Sequence, residues 1–365
     1  MKPLVVAHIV ERAFGGVRTF VQLILESQSR DPAFAEVHLI ADPASVGELP
    51  GIKGIKIHYY ESSRSPRKLL SVSRKVQDIL KAIAPDVVVA HSSFPGLYAR
   101  STLRKPKWGV VYCAHGWSFA QTDRRLAGLI YRVGELVLSR RTDAVINISK
   151  YETGIAKDAG LNPLLLHTIP HGLPPMESGA QPAASDHLVF IYVGRLNHKK
   201  GVDRLLAAFD HDDLSHIELR LVGDVVEYDA DAPVIPKRGN IRVLGWLYPR
   251  EVEAQIMMAD AMVVPSRWEG FGFTALEAMR AGKPVLANGV GGLRELVTEG
   301  QTGQFIDIRN IDGMRRVFLS LSRENLHAMG RNAQNVFEKR YAWALCYDAW
   351  QAVINTVMVQ KNKGS

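Results

Sequence analysis

Short runs rich in valine and isoleucine alternate with helix-patterned stretches twice along this chain, and that alternation predicts βαβ units and parallel sheets. Helices cover both faces of a parallel sheet, so its strands read as unbroken apolar runs, as in Val87-Val88-Val89-Ala90. The first series predicts strands over 4–10, 37–41, 55–59, 86–90, 109–114, 143–148 and 164–169. A stretch rich in proline, glycine, serine and alanine, 172–186, then interrupts the pattern and reads as a linker. The second series predicts strands over 187–194, 217–223, 241–245, 261–265 and 284–287. With 365 residues, the natural division is into two α/β domains, 1–171 and 187–341. A last apolar stretch at helical spacing, about 342–359, is expected to pack back on the first domain. No solenoid-type repeat is present in the sequence.

Charge is placed unevenly. Residues 1–183 carry 23 Lys plus Arg against 15 Asp plus Glu, whereas the remainder carries 22 of each, so the net excess of +8 belongs to the N-terminal half. A nucleic-acid face would interleave aromatics with its basic residues or show a binding module, and neither is present, so no nucleic-acid partner is expected. An anionic membrane surface or a phosphate-bearing acceptor fits the excess better. No apolar run approaches the about 20 residues needed to span a bilayer. The start, MKPLVVAHIV followed by Glu11 and Arg12, reads as a first strand rather than a signal peptide. Two cysteines, Cys113 and Cys346, suit a reducing cytoplasm without disulfides.

The richest segment is Pro265 to Gly282, PSRWEGFGFTALEAMRAG, in which Glu269 and Glu277 stand eight positions apart around the turn Gly270-Phe271-Gly272. The turn follows an expected strand, Thr274 to Arg280 are good helix formers, and Gly282 with Pro284 supplies a stop. A glycine turn feeding a helix points unpaired N–H groups outward at the positive end of the dipole, which suits phosphate. Two carboxylates beside an anion cradle suit a ligand that also carries hydroxyls, as a nucleotide sugar does. A lone pair of glutamates at this spacing would read as the solvated face of an ordinary helix; placement at a strand's carboxyl end, where open α/β sheets bind ligands, shifts the reading.

Other strand ends carry compatible groups. After the linker, a strand runs into Gly194-Arg195-Leu196-Asn197-His198-Lys199-Lys200-Gly201, where a planar guanidinium and a mobile ammonium can together neutralise a diphosphate. Near the start, Phe14-Gly15-Gly16-Val17-Arg18 follows the first strand and opens a helix, although no G-x-G-x-x-G dinucleotide fingerprint is present. Ala114-His115-Gly116-Trp117 ends another strand and puts an imidazole at its edge, where a plain structural hydrogen bond is the commoner role. Gly289-Val290-Gly291-Gly292-Leu293-Arg294-Glu295 offers further backbone amides.

The order of these motifs, GGVRTF, AHG, GRLNHKKG, RWEGFGFTALEAM and GVGGLRE, resembles family 4 of the retaining glycosyltransferases over nearly the whole chain. The resemblance implies the GT-B fold, an α/β architecture of two Rossmann-like domains whose parallel sheets face each other across a cleft. It places the nucleotide mainly on the second domain and the acceptor on the first. It assigns Arg195 and Lys200 to the diphosphate and Glu277 to the ribose. Glu269, with the amides of Gly270, Phe271 and Gly272, falls to the donor sugar and its phosphate, Gly16 to an amide touching the diphosphate, and His115 to the sugar's ring hydroxyls. Catalysis would rest on His115, Glu269, Arg195 and Lys200. Two positions depart from the family pattern. His171-Gly172-Leu173-Pro174 stands where Asn-Gly-x-Asp is common, and Arg18 and Thr19 stand where an acidic residue is common.

No metal or other cofactor is expected. Asp229-Ala230-Asp231 has the spacing of a metal-binding D-x-D, but it lies in a proline-bounded polar loop with no apolar strand entering it. Two cations and a helix N-terminus can neutralise a leaving diphosphate by themselves. The expected activity is retaining transfer of a hexosyl unit from a nucleoside-diphosphate sugar, UDP-linked by preference, to a glycan or lipid-linked acceptor in surface polysaccharide assembly. A sugar-nucleotide epimerase or a non-catalytic nucleotide-sugar-binding protein could use the same scaffold. Two basic segments of the first domain, 64–83 and 124–141, each read as a core-facing stripe with a solvated basic face; together they suggest a cytoplasmic protein in peripheral contact with an anionic membrane surface.

Overall fold

The computed structural model describes residues 2–11, 15–46, 52–102, 105–122, 124–176, 187–225 and 233–364. The chain divides into two compact units, Met1–Pro170 with Cys346–Ser365, and His171–Leu345. Asp229-Ala230-Asp231, Phe14 and most of the expected linker lie outside the described residues.

In the first unit seven strands, β1 (Leu4–Val10), β2 (Phe34–Ala41), β3 (Ile55–Tyr59), β4 (Val87–His91), β5 (Gly109–Cys113), β6 (Ala144–Asn147) and β7 (Leu166–Thr168), form one sheet. Their order is β3-β2-β1-β4-β5-β6-β7 and every pairing is parallel. The second unit holds β8 (Leu188–Val193), β9 (Ile217–Val222), β10 (Ile241–Gly245), β11 (Ala261–Val264), β12 (Val285–Asn288) and β13 (Gly303–Ile306), in the order β10-β9-β8-β11-β12-β13, again all parallel. Both units are thus the doubly wound, Rossmann-like α/β sheets that the apolar runs imply. In each, the chain walks outward from its first strand and then returns to the other side of it. The strand order reverses between β1 and β4 and between β8 and β11, and loops leaving a reversal diverge to open a crevice at the strands' carboxyl ends.

Burial follows the continuous apolar runs. In the first unit Ile9, Val88, Ala90 and Tyr112 of the sheet pack against Val72, Val76 and Leu80 of the helix Pro66–Ile83. In the second, Phe190, Leu219 and Val263 pack against Leu205 and Phe209 of the helix Val202–Phe209 and Phe318 of the helix Ile311–Leu319.

The strands differ from expectation in three places, the first being β2, which starts at Phe34 rather than at Val37. The stretch 164–169 is shorter as a strand, because Asn162 and Pro163 set a 3-10 turn over Pro163–Leu165, with the Asn162 side chain accepting from Leu164 N, before β7 begins. Strand β13 was not foreseen. It is a four-residue edge strand that opens on Gly303, too short and too polar to show an apolar run. Gly303 is needed there because a Cβ would lie 2.0 Å from the Val285 carbonyl oxygen across the ladder.

The last helix, Trp343–Gly364, is longer than the apolar spacing suggested, and from Cys346 onward it belongs to the first unit. Trp350 is 1% exposed and lies 5.1 Å from the Phe20 ring, while Tyr347 donates a 2.7 Å hydrogen bond to Asp31. Among the described residues no helix is long and apolar enough to cross a membrane.

Candidate functional site

In the second unit, β8 ends at Val193 and the chain turns through Gly194, Arg195 and Leu196 into a single 3-10 turn, His198–Lys200. The Asn197 side chain caps that turn, accepting from Lys200 N at 3.1 Å, and Tyr192 Oη holds the Arg195 carbonyl at 2.5 Å. Gly201 then adopts φ +71, and a Cβ there would stand 1.9 Å from the Pro265 carbonyl oxygen. The loop after β8 is therefore in backbone contact with the loop after β11, which only glycine permits. Arg267 stitches the two loops again: its N–H donates to the Lys199 carbonyl at 3.0 Å, and its guanidinium forks onto Asp203 at 2.6 and 2.7 Å.

This stitching brings together groups 69 positions apart in sequence. Lys200 Nζ donates to Glu269 Oε2 at 2.7 Å, and Ser266 Oγ donates to the same oxygen at 3.1 Å. Side-chain exposures of 29% and 15% leave the pair half-buried and reachable by ligand. Arg195 is exposed, and its guanidinium has no ion-pair or hydrogen-bond partner among the described residues. A bound cation and an open one thus sit on loops at the strand-order reversal.

The glycine elbow forms the third wall. Gly272, with φ 107, is the N-cap of the helix Phe273–Arg280, and no side chain caps it, so the first-turn amides keep their capacity for an anion. Behind it, Gly292 N donates to the Glu269 carbonyl at 3.1 Å, and a Cβ on Gly292 would be 2.5 Å from the Gly270 oxygen. The loop after β12 is accordingly a backing plate for the elbow. The Phe271 ring is 3% exposed and packs edge-on to His171 at 5.5 Å and Tyr341 at 6.0 Å, so only its backbone can serve a ligand. Glu277 lies one turn into the helix beside the Arg280–Glu253 ion pair. Burial pushes its carboxyl up to about 7; Arg280 opposes the rise and Glu253 adds to it.

In the first unit, Gly15 (φ 57) turns the chain after β1 into the helix Gly16–Gln28, which also lacks a side-chain N-cap and an acidic first turn. Among the described residues, chain neighbours aside, nothing lies within 4 Å of where a Gly15 Cβ would be. His115 follows β5 in the left-handed region, φ 49, and burial holds its imidazole down to about 3, so it is neutral at physiological pH. Its Nε2 lies 2.9 Å from Nδ1 of His91, the last residue of β4. Sequence reasoning missed this neighbour, although a signal exists: Ala-His occurs at Ala7-His8, Ala90-His91 and Ala114-His115, in or just after three adjacent strands. It also missed Asn197, Ser266 and Arg267, whose roles exist only once two loops meet.

The two basic segments fold differently. The helix Pro66–Ile83 buries Val72, Val76 and Leu80, which is the core-facing stripe with a solvated basic face. The helix Arg125–Ser139 is turned inside out: its one buried residue is Glu135. Leu126, Leu129, Ile130, Val133 and Val137 are between 47% and 72% exposed.

Comparison with known proteins accords with these halves. Residues 14–176 match the family described as Glycosyltransferase Family 4, and residues 177–336 match Glycosyl transferases group 1. An uncharacterized 41.2 kDa protein in the cps region of Klebsiella pneumoniae is 28% identical over 92% of this chain and 96% of its own length. A UDP-Gal:alpha-D-GlcNAc-diphosphoundecaprenol alpha-1,3-galactosyltransferase of Escherichia coli is 24% identical over 70% of this chain and 72% of its own. Among solved structures, Anabaena HepE in complex with UDP-glucose superposes with a TM-score of 0.78 at 18% identity, covering 96% of this chain and 98% of that one, a likeness of fold. Matched by one family over six of the seven strands of its first sheet and by the other over its second sheet, the chain belongs to the family 4, group 1 glycosyltransferases of GT-B fold.

Proposed function

We propose that this glycosyltransferase is a retaining hexosyltransferase that takes its sugar from a UDP-linked donor and passes it to a glycan or lipid-linked acceptor in surface polysaccharide assembly. The observation that carries the reading is the meeting of Lys200 with Glu269, beside an Arg195 that has no side-chain partner among the described residues and an uncapped helix N-terminus. Lys200 has three N–H donors, so it can keep Glu269 and still reach a phosphate oxygen. Arg195, Lys200 and the amides of Gly270 to Gly272 take the charge that develops on the departing diphosphate, and no metal is needed for that. Glu269, held by Lys200 and Ser266, orients the sugar, as His115 does; Gly16 contributes an amide to the diphosphate. The anomeric carbon–oxygen bond to phosphate breaks, the acceptor oxygen bonds the same face, and its proton passes to the leaving phosphate. Support for the donor and acceptor classes comes from relatives, HepE in complex with UDP-glucose and the E. coli enzyme named for UDP-Gal and a diphosphoundecaprenol acceptor.

Glu277 provides the test. As the ribose ligand it accepts from two hydroxyls at full strength only when ionised, and burial pushes its carboxyl up to about 7. A nucleoside-diphosphate sugar has no proton titrating near neutrality, so the pH dependence of binding belongs to the protein. UDP-glucose should raise the melting temperature more than ADP- or GDP-glucose, and its affinity should fall as pH drops from about 8 to about 6. Glu277→Gln should bind weakly at both ends of that range. A flat pH response in the wild type together with unimpaired Glu277→Gln binding would refute the ribose assignment.

We propose further that the first unit docks on an anionic membrane surface through the helix Arg125–Ser139. Its exposed apolar residues recur at i, i+3, i+4, i+7 and i+11, one stripe, and exposed Arg124, Arg125, Arg132 and Arg140 flank it. Apolar stripe and guanidinium border match acyl chains and phosphate headgroups in that order. The protein should co-sediment with vesicles containing phosphatidylserine, less so as salt rises, and the double variant Leu129→Glu/Ile130→Glu should remain in the supernatant. Absence of wild-type binding to both neutral and anionic vesicles would eliminate the proposal.

A further inference from the structure

The first unit has a strand-order reversal of its own, between β1 and β4, and the transfer reading uses no cation there. The loop that leaves β3 is laid across this end of the sheet. Ser62 N donates to Asp42, the residue after β2, at 2.7 Å, and the Ser63 carbonyl accepts from Tyr98 Oη, in the helix that follows β4, at 3.3 Å. Arg64 is thereby carried from the sheet's edge to the reversal. Its Nε and Nη2 donate to the two carboxylate oxygens of Glu11, the residue after β1, at 3.1 and 3.3 Å. Its guanidinium also stands over the Phe94 ring, just past β4, 5.3 Å from the centroid. One side chain thus touches the loops on both sides of the crevice.

The ion pair is lopsided: the Glu11 side chain is 6% exposed and that of Arg64 57%. A buried carboxylate needs a cation, and Arg64 satisfies it with one edge of its fork. The other edge, Nη1 with the second N–H of Nη2, has no hydrogen-bond partner among the described residues. Such an edge fits two phosphate oxygens. The arrangement repeats that of Lys200 and Glu269 in the second unit, a more exposed cation held by a less exposed glutamate at the carboxyl ends beside a reversal. Arg67 and Lys68 follow in the first turn of the helix Pro66–Ile83, exposed and without an ion pair among the described residues. With Glu11 and Glu61 counted against them, the three cations leave one positive charge in excess. The hydrogen bonds to Glu11 keep the Arg64 guanidinium protonated, and Tyr131 of the helix Arg125–Ser139 is close enough to act on the same charge. Arg64 therefore adjoins the element proposed to face the membrane.

We infer that Arg64, aimed by Glu11 as its positioning residue, binds the phosphate of a lipid-linked acceptor, an inference that rests on the acceptor class and the membrane face proposed above. Such an acceptor carries its phosphate at the level of the lipid headgroups. A protein docked there through the helix Arg125–Ser139 brings Arg64 beside that phosphate, and the open edge of the fork takes two of its oxygens. Arg67 and Lys68 add mobile charge around it.

Calorimetric titration in the presence of saturating UDP, which fills the donor site, tests this with geranyl diphosphate as a short lipid-borne probe. Wild-type protein should bind it at one site, with geraniol and inorganic pyrophosphate each at least about tenfold weaker. Removing Arg64 alone would strand buried Glu11, so the informative variant is Glu11→Gln/Arg64→Gln, which leaves a neutral pair. Its affinity for geranyl diphosphate should fall at least about tenfold, the scale of a hydrogen bond to a charged group. Arg64→Lys keeps the ion pair but offers no planar second edge; it should melt as the wild type does and bind the probe severalfold more weakly. Arg74→Gln, which removes an exposed cation farther along the helix Pro66–Ile83, should bind as the wild type does. Undiminished binding in both Arg64 variants, or an equal loss in Arg74→Gln, would overturn the inference. Geraniol binding as tightly as the diphosphate would overturn it in favour of an apolar groove, and pyrophosphate doing so in favour of a free-phosphate site. Because binding is read without turnover, its failure leaves the transfer reading standing; that reading fails instead if wild-type protein moves no sugar from a UDP-linked donor to any acceptor.

Discussion

Lys200→Ala is expected to reduce kcat/KM for the donor by roughly 10²–10³-fold, measured as acceptor-dependent release of nucleoside diphosphate. Two losses compound in that variant. The diphosphate loses a cation, and the carboxylate of Glu269, only 15% exposed, is left without Lys200 beside an anionic ligand. Removing both, in Lys200→Ala/Glu269→Ala, should therefore cost less than the two single effects multiplied, because residues in contact do not act independently. Arg195→Ala separates catalysis from folding. Its guanidinium is exposed and without a partner among the described residues, so the melting temperature should stay within a degree or so while transfer falls about as far as in Lys200→Ala. Wild-type turnover by both single variants would end the assignment of the diphosphate to these loops.

Arg100→Met should cost about 3–5 kcal/mol, the loss expected when one partner of a buried ion pair is removed. Arg100 is 0% exposed. Its guanidinium donates to Glu135 at 2.9 Å and to the Gly96 carbonyl at 2.7 Å and covers the Tyr112 ring at 3.8 Å, while Tyr112 donates to the other Glu135 oxygen at 3.0 Å. Burial keeps the Tyr112 phenol well above its ordinary range, so it stays a donor. Without Arg100 the Glu135 carboxylate is stranded, 7% exposed, with one hydroxyl for company. At roughly 2–4 °C per kcal/mol for a unit of this size, the first unit should melt about 6–20 °C lower by circular dichroism or calorimetry. Adding Glu135→Leu should restore much of the loss, since an apolar pair avoids the stranded charge. An unchanged melting curve in Arg100→Met would refute the account. Because Glu135 is the one buried residue of the helix Arg125–Ser139, the same variant should also loosen the proposed membrane face.

The helix Arg125–Ser139 shows how a sequence pattern can be read correctly and still leave its direction open. Its apolar spacing is that of any amphipathic helix, and ordinarily the apolar side faces the core. Arg100, 35 positions away, captures Glu135 and turns the polar side inward. The helix Pro66–Ile83 has a comparable pattern and no such capture, and it packs in the ordinary sense. Strand β13 escaped notice for a different reason. What qualifies Gly303 for its place is the absence of a Cβ against Val285, a property of the neighbour rather than of its own segment.

Local chemistry in the chain was enough to establish two parallel α/β sheets and to mark the strand ends where ligand groups gather, because continuous apolar runs, glycine turns and helix stops act within a dozen residues. Contacts between those ends were decided by strand order. Folding puts β11 beside β8 rather than at an edge, and only that adjacency lets Lys200 reach Glu269. It likewise puts β1, β4 and β5 side by side, which turns three scattered Ala-His pairs into one row ending at Gln28. Side-chain partners follow from which strands are neighbours, and that is set by how the whole sheet buries its surface rather than by any stretch of residues alone.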